Sequence, residues 1–319
     1  MLRRRRASRD LRIFFATDLH GSDLCFRKFC TAPEFYGATH LILGGDLTGK
    51  LLIPIVVEGD HATFRLGGVT EDVPLADLDG QLRRLSNMGY YPVVGDAAMA
   101  AELSSPERYE ARLQEEAVAR ARRWIEYAHE KLGASSVQIL VAGGNDDDPA
   151  MDDLFSDDGV FVAGEGRVAE LGGVPVVSCG WSNPTPWNTP RECSEDDLLA
   201  KLQDIVAEVE DPARAIFNVH VPPHETALDV CPELDDELRV VTVMGSPVMQ
   251  HAGSTAVRQL IERAQPRVSV HGHIHESRGV ERIGTTTAVN AGSEYSEGVL
   301  LGAVIDLDRN EPGVVLTAG

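Results

Sequence analysis

Residues 12–17 (RIFFAT), 40–43 (HLIL), 137–142 (VQILVA), 174–178 (VPVVS), 215–219 (AIFNV) and 267–270 (RVSV) are short, near-continuous apolar runs. Apolar runs of about four to eight residues without alternation suit strands covered on both faces. Between several of them the pattern becomes helical. Ser105-Pro106 opens a helix to about Leu132, with serine at the cap, proline in the first turn and Gly133 as the stop. Ser194 with Asp197 resembles a capping box and predicts a helix to about Glu210, with Pro212 beyond. Another helix is predicted from about Ser254 to Ala264, stopped before Pro266, and Ser22 and Asp23 read as the cap of a helix after the first strand. Strand–helix alternation of this kind predicts an α/β sandwich.

The stretch from about 51 to 104 breaks the pattern. LIPIVVEGDHATFRLGGV reads as a β-hairpin turning at Gly59-Asp60. It predicts an inserted hairpin and helix region, about 51–135, that covers one side of a single domain spanning 12–319. Residues 1–11 form a basic arm, in which Arg3 to Arg6 read as a solvated segment.

Composition narrows the class. The chain has 319 residues, 43% hydrophobic and 25% charged, the proportions of an ordinary soluble globular protein. No apolar run approaches the roughly 18 residues of a membrane span, and the amino terminus lacks the apolar segment of a secretory signal. The net charge of −21 repels a phosphate backbone, so binding to long nucleic acid is disfavoured while a small anionic substrate is not. Cys25, Cys30, Cys179, Cys193 and Cys231 show no C-x-x-C spacing and read as reduced, packed thiols of a cytoplasmic protein. A homo-oligomer is compatible with all of this.

Polar residues with metal-ligand chemistry fall where the predicted strands end: Asp18 and His20 in TDLHGS, Asp46 in GGDLTGK, Asn145 in GGNDDD, His220 in NVHVPP, and His273 and His275 in HGHIHES. In α/β sheets the carboxyl ends of strands converge on one crevice. Residues i and i+2 of an extended segment share a face, so His273 and His275 can point at one place. Carboxylate with imidazole suits manganese, iron or zinc and not a thiolate-selected metal. The set is too large for one tetrahedral ion and about right for two ions sharing a carboxylate. Two such ions, about 3.5–4 Å apart, polarise a phosphoryl oxygen and activate a water for in-line attack. Gly44-Gly45, Gly143-Gly144 and Gly272 allow tight turns beneath them.

Asp18-Leu19-His20, Gly45-Asp46, Gly144-Asn145, His220 and Gly272-His273-Ile274-His275, in this order, resemble the motifs of the calcineurin-like metallophosphoesterase superfamily. GGDLTGK, HVPPHETALD, HGHIHES and NAGSEYSEGVL look further like its Icc-related branch of predicted phosphoesterases. The resemblance implies a two-sheet β-sandwich flanked by helices, in four α/β/β/α layers. It implies two divalent ions (Mn2+, Fe2+/3+ or Zn2+), one held by Asp18, His20 and His275, the other by Asn145, His220 and His273, with Asp46 bridging. It implies a hydrolase of small, nucleotide-like phosphoesters. One position departs from the pattern: where the family carries a histidine that contacts phosphate and protonates the leaving group, this chain has Asp146. An ionised aspartate repels phosphate, and a protonated one serves as an acid only with a raised pKa. Diesters or activated esters are therefore the expected substrates, and a non-catalytic scaffold that binds a protein partner is the alternative. Asp147 matches the family's acidic position and joins Asp146 as a catalytic candidate.

Other residues have plainer readings. Asp148-Pro149 suits the start of a short helix. In GWSNPTPWNTPRE, Trp181 or Trp187 is a candidate wall for a substrate ring, with Asn183 and Arg191 as polar candidates beside it. His271 reads as a strand-end histidine, His224 and His251 as surface or helix-start residues, and NAGS at 290–293 as a turn near the second ion.

Overall fold

The computed structural model describes residues 11–307 and 311–319. The basic arm at 1–11 lies outside the described residues except for Leu11, which is buried.

Each predicted apolar run forms a strand, and the strands assemble into two six-stranded sheets. The first runs Gly313–Ala318, Leu301–Asp306, Arg12–Ala16, His40–Gly44, Gln138–Ala142, Phe161–Ala163. The second runs Gly279–Ile283, Thr286–Asn290, Val268–His271, Ile216–Val219, Val174–Cys179, Val168–Leu171. Neighbours are parallel from Arg12–Ala16 to Phe161–Ala163 in the first sheet and from Thr286–Asn290 to Val174–Cys179 in the second. Parallel strands deliver their carboxyl ends to the same edge of a sheet, which is what brings distant loops together here. The α-helices among the described residues are α1 (Asp23–Tyr36), α2 (Leu78–Asn87), α3 (Ala97–Glu102), α4 (Pro106–Leu132), α5 (Glu195–Val206) and α6 (Thr255–Ala264).

The alternation of strand side chains sorts the core into layers. Ile13 and Phe15 point between the sheets and pack with Ile42, Leu140, Ile216, Val268 and Val270. Phe14 and Ala16 point outward, onto Phe26 and Phe29 of α1 and Trp124 of α4. On the far side Phe217 and Val219 meet Leu198 and Leu202 of α5 and Val257 and Leu260 of α6. The result is four layers, helix, sheet, sheet, helix. Each large apolar side chain so buried contributes about 1.5–3 kcal/mol, before the loss of conformational entropy is counted.

Local signals set the helix boundaries. Ser22, Ser194 and Ser254 accept the backbone N–H of Cys25, Asp197 and Val257 and cap α1, α5 and α6. Helix α4 matches its predicted span, although the Ser105 side chain makes no capping hydrogen bond. Asp148 accepts from Ala150 N–H and starts a short 3-10 helix, Pro149–Leu154. Helix α5 stops at Val206, short of Glu210, because the N–H groups of Glu208 and Val209 turn back to the carbonyls three residues earlier and tighten the last turn.

The insertion is larger than the expected hairpin. Leu52–Glu58 and His61–Leu66 do turn at Gly59-Asp60. Val69–Pro74 then adds through a second two-residue turn at Gly67-Gly68, and Tyr91–Gly95 returns parallel to Leu52–Glu58, giving a four-stranded sheet. Both turn glycines have positive φ, 56° and 83°, a conformation glycine adopts without strain. Val69–Pro74 is mostly exposed, which is why hydrophobic pattern alone passes over it. One part of the insertion encloses Ile53, Ile55, Phe64, Leu78 and Leu85. Another, formed by Leu52, Tyr91 and Val93, packs on Ala117 of α4.

No cysteine is in a disulfide; Cys25, Cys30 and Cys179 are buried, Cys193 and Cys231 half-buried. Burial pushes the Cys30 and Cys179 thiols up to about 12 and raises Cys25 as well. A disulfide reagent at pH 8 should therefore label Cys193 and Cys231 in the native protein, and all five cysteines only after unfolding. Rapid labelling of Cys30 or Cys179 in the folded state would contradict this packing.

Candidate metal centre

The site is built by loops that leave the carboxyl ends of strands. Asp18 and His20 follow Arg12–Ala16, Asp46 follows His40–Gly44, and Asn145 follows Gln138–Ala142 in the first sheet; His220 follows Ile216–Val219, and His273 and His275 follow Val268–His271 in the second. Several of these residues sit in a backbone conformation that side chains disfavour: φ is 53° at Asp18, 41° at His20, 49° at Asp46 and 66° at His273. Non-glycine residues held there carry about 1–3 kcal/mol of strain each, which the surroundings must offset. Backbone hydrogen bonds do so. Asp18 N–H and His20 N–H donate to the carbonyls of Gly45 and Asp46, each at 2.9 Å, zipping the first loop to the second. The Asp18 carboxylate accepts the His273 N–H at 3.1 Å and so ties the first sheet to the second.

Glycine is required at the close approaches. A Cβ on Gly272 would lie 2.1 Å from the Asp18 carboxylate, and one on Gly144 would lie 2.2 Å from that of Asp46.

The side chains converge. The Nε2 atoms of His20 and His275 face each other at 3.1 Å. Asp18 Oδ1 lies 3.3 Å from His275 Nε2 and 3.9 Å from both His20 Nε2 and His220 Nε2. Asp46 reaches His20 Nε2 at 3.6 Å with one oxygen and His220 Nε2 at 3.3 Å with the other. His273 Nδ1 lies 2.7 Å from Asn145 Oδ1, and its ring centre is 5.5 Å from that of His220. Ligand-type atoms lie within 4.8 Å of one another in three sets: Asp18, His20 and His275; Asp18, Asp46 and His220; His20, Asp46 and Asp146. Asp18 and Asp46 thus both face histidines from each sheet.

Electrostatics say the same. Burial opposes ionisation of Asp18, but the hydrogen bond from His275 and the charges of His220 and His275 hold it at about 2. Burial likewise opposes ionisation of Asp46, which His220, His20 and Lys50 hold well below the usual carboxylate range. Burial would lower His220, yet Asp46 and Asp18 drive it up to about 10. Burial and the nearby Lys50 charge push His20 down to about 3. Two buried, ionised carboxylates therefore face imidazoles from both sheets, of which His220 carries charge and His20 does not. Imidazole nitrogens pointing at one another across a carboxylate form a poor hydrogen-bonded core but a good ligand set, so these residues fit a divalent cation.

The loops are held from behind. Asp147, expected in catalysis, is fully buried, and its carboxylate accepts from the N–H groups of Leu47, Thr48 and Gly144 and from the Thr48 hydroxyl at 2.8–3.0 Å. With both oxygens engaged it positions the second and third loops and does not face the cleft. Arg191, 1% exposed, donates to the carbonyls of Asp147 and Asp148 and makes a two-pronged pair with Asp152. His271 is also buried, with Nδ1 2.8 Å from the Val219 carbonyl and Nε2 2.8 Å from Ser269 Oγ. It supports the strand end and takes no part in the cluster. His224 and His251 lie elsewhere, around Asp229. Ser293 of the NAGS turn donates to the Asp18 carbonyl.

Two substrate candidates move. Trp181 packs on the α5 side, with Lys201 Nζ 4.3 Å above its ring, and does not line the cleft. Asn183 turns its amide to the Ala252 carbonyl at 3.4 Å and braces the loop. Trp187, 61% exposed, lines the cleft in front of the cluster. Sequence reading also missed Lys50 and Tyr295. Lys50 Nζ forms an ion pair with Asp146, and the Tyr295 ring lies 4.7 Å from that of His20. The only sequence signal for Lys50 is its place at the end of GGDLTGK.

No family model matches the chain. Over 166 residues it is 32% identical to the uncharacterized protein MJ1162 of Methanocaldococcus jannaschii, an alignment covering 50% of this chain and 67% of that one. The chain belongs to the same family as this archaeal protein. Its fold is also found in solved structures. One crystal structure aligns with a TM-score of 0.58 at 17% identity, over 96% of this chain and 99% of the other. The crystal structure of TT1561 of Thermus thermophilus aligns at 0.52 and 13% identity, over 96% and 99%. The four-layer α/β/β/α sandwich that the motif resemblance implied is thus a fold shared with these solved structures.

Two outcomes follow. Calorimetric titration with Mn2+ or Zn2+ should detect binding to the wild type and at least a tenfold weaker affinity in Asp46→Asn. Equal affinities would remove Asp46 from the ligand set. Arg191→Met should destabilise the fold by about 3–5 kcal/mol in denaturant unfolding, because it strands buried partners of the guanidinium; a loss below 1 kcal/mol would rule out its bracing role.

Proposed function

We propose that this protein is a metal-dependent phosphoesterase that hydrolyses diesters of small phosphorylated compounds. The observation that carries the reading is the convergence of Asp18, His20, Asp46, His220 and His275 from both sheets at one point of the cleft. Two divalent ions held by these residues, with Asn145 and His273 completing the set, would polarise a phosphoryl oxygen and lower the pKa of a water.

The chain's own groups supply the rest. Asp146 stands where a leaving-group histidine is expected and would repel a phosphate if it stood alone. Lys50 pairs with it and cancels that charge. Burial and Asp46 raise the Asp146 carboxyl to about 6 against the pull of Lys50. An Asp146–Lys50 pair receives a diester, with its single negative charge, more readily than a doubly charged monoester. Tyr295 packs against His20 and keeps that ring oriented. The net charge of −21 keeps long nucleic acids away.

With manganese, bis-p-nitrophenyl phosphate should be hydrolysed faster than p-nitrophenyl phosphate. Asp46→Asn should lose about 100-fold or more in kcat/KM, and Lys50→Ala about tenfold, mainly through KM. Metal-loaded protein that hydrolyses neither ester, and behaves like Asp46→Asn, would overturn the hydrolase reading and favour a scaffold that binds a protein partner.

A further inference from the structure

The metal cluster opens into a cavity of about 480 Å³ that includes Asp46, Asn145, His273 and His275. A second cleft of about 1090 Å³ lies beside it, and the two share Lys50, Asp146 and Trp187. The second cleft is far larger than a phosphoryl group and lies just above the usual range for sites that enclose a small molecule. Much of its wall is apolar, from Leu113, Ala117 and Val118 of α4, Met151 of the 3-10 helix, and Trp187 and Pro190 of the loop opposite, with Gln114, Asn188 and Thr189 between them. Leu113 and Ala117 also pack against the inserted four-stranded sheet, so the insertion holds this wall in place.

Charge restricts what fits. Glu110, Glu115 and Asp148 stand on the rim, and Arg122 is the one cation opposing them beyond Lys50 among the described residues that line the cleft. A second phosphate would meet this acidic rim at a desolvation and repulsion cost. A flat uncharged ring would meet apolar walls and the exposed face of Trp187, which suits stacking.

We propose that this cleft is a specificity site for a flat, uncharged, ring-bearing group of about nucleoside size, carried by an ester whose single phosphoryl group lies at the Asp/His cluster. The assignment rests on the phosphoesterase reading for the placement of the phosphoryl group. Trp187, at the junction of the two cavities, and Val118, on the cleft wall, set the preference between ring-bearing and small esters.

The test compares ligands that differ only by the ring. In metal-loaded protein, calorimetry should show AMP binding at least tenfold more tightly than ribose 5-phosphate. Trp187→Ala, on an exposed loop, should cut that difference to threefold or less, and Val118→Trp should also reduce it by projecting a bulky ring into the space the ligand ring would occupy, provided thermal unfolding shows the variant folded. In the same proteins, the ratio of kcat/KM for bis-p-nitrophenyl phosphate over methyl p-nitrophenyl phosphate should fall at least tenfold. Equal binding of AMP and ribose 5-phosphate by the wild type, or an undiminished difference in Trp187→Ala, overturns the proposal. Ring-selective binding without hydrolysis of either ester would leave the cleft assignment standing and overturn the hydrolase reading instead.

Discussion

Two carboxylates, Asp18 and Asp46, are buried side by side between two sheets, and much of the surrounding structure answers to them. Charges so placed are expensive unless they are paired and hydrogen-bonded. Here the partners come from every direction. The His273 backbone N–H holds Asp18, the Asp146 backbone N–H holds Asp46, and histidines from both sheets face the remaining oxygens. The positive φ values at Asp18, His20, Asp46 and His273 are the geometric side of the same constraint. Relaxing them would swing the side chains away from the common point.

A second polar layer keeps the first in place. Asp147 gathers the N–H groups of the second and third loops, and Arg191 gathers the carbonyls behind them. Arg120 of α4 donates to the Gly21 and Tyr90 carbonyls, so the first loop and the insertion share one anchor. The insertion is thereby part of the site's architecture. It fixes α4, and α4 forms one wall of the large cleft.

Much of this was legible in the chain. The apolar runs marked the central strands because parallel strands covered on both faces admit few polar residues. The ligand-type residues at their ends were legible because few residue types carry metal-ligand chemistry and the carboxyl ends of parallel strands converge on one crevice. Edge elements were less so. Val69–Pro74 is a mostly exposed strand of mixed polarity, and only the Gly-Gly turn before it announces it. Trp181 and Trp187 occupy one loop with similar composition, and nothing local says which of them packs inward.

The chain alone was enough for the central parallel strands, the serine caps of α1, α5 and α6, the order of the motifs and the identity of the converging Asp, His and Asn side chains, since these depend on local period and on chemistry carried by single residues. Packing between distant segments is what turns Asp147 inward as a brace, pairs Lys50 with Asp146, brings Trp187 and not Trp181 to the cleft, and sets α4 against the 187–190 loop as walls of a second cavity. Each of those depends on contacts between segments far apart in the chain. Such contacts follow from how layers pack and loops cross, and residue type or spacing along one segment does not encode them.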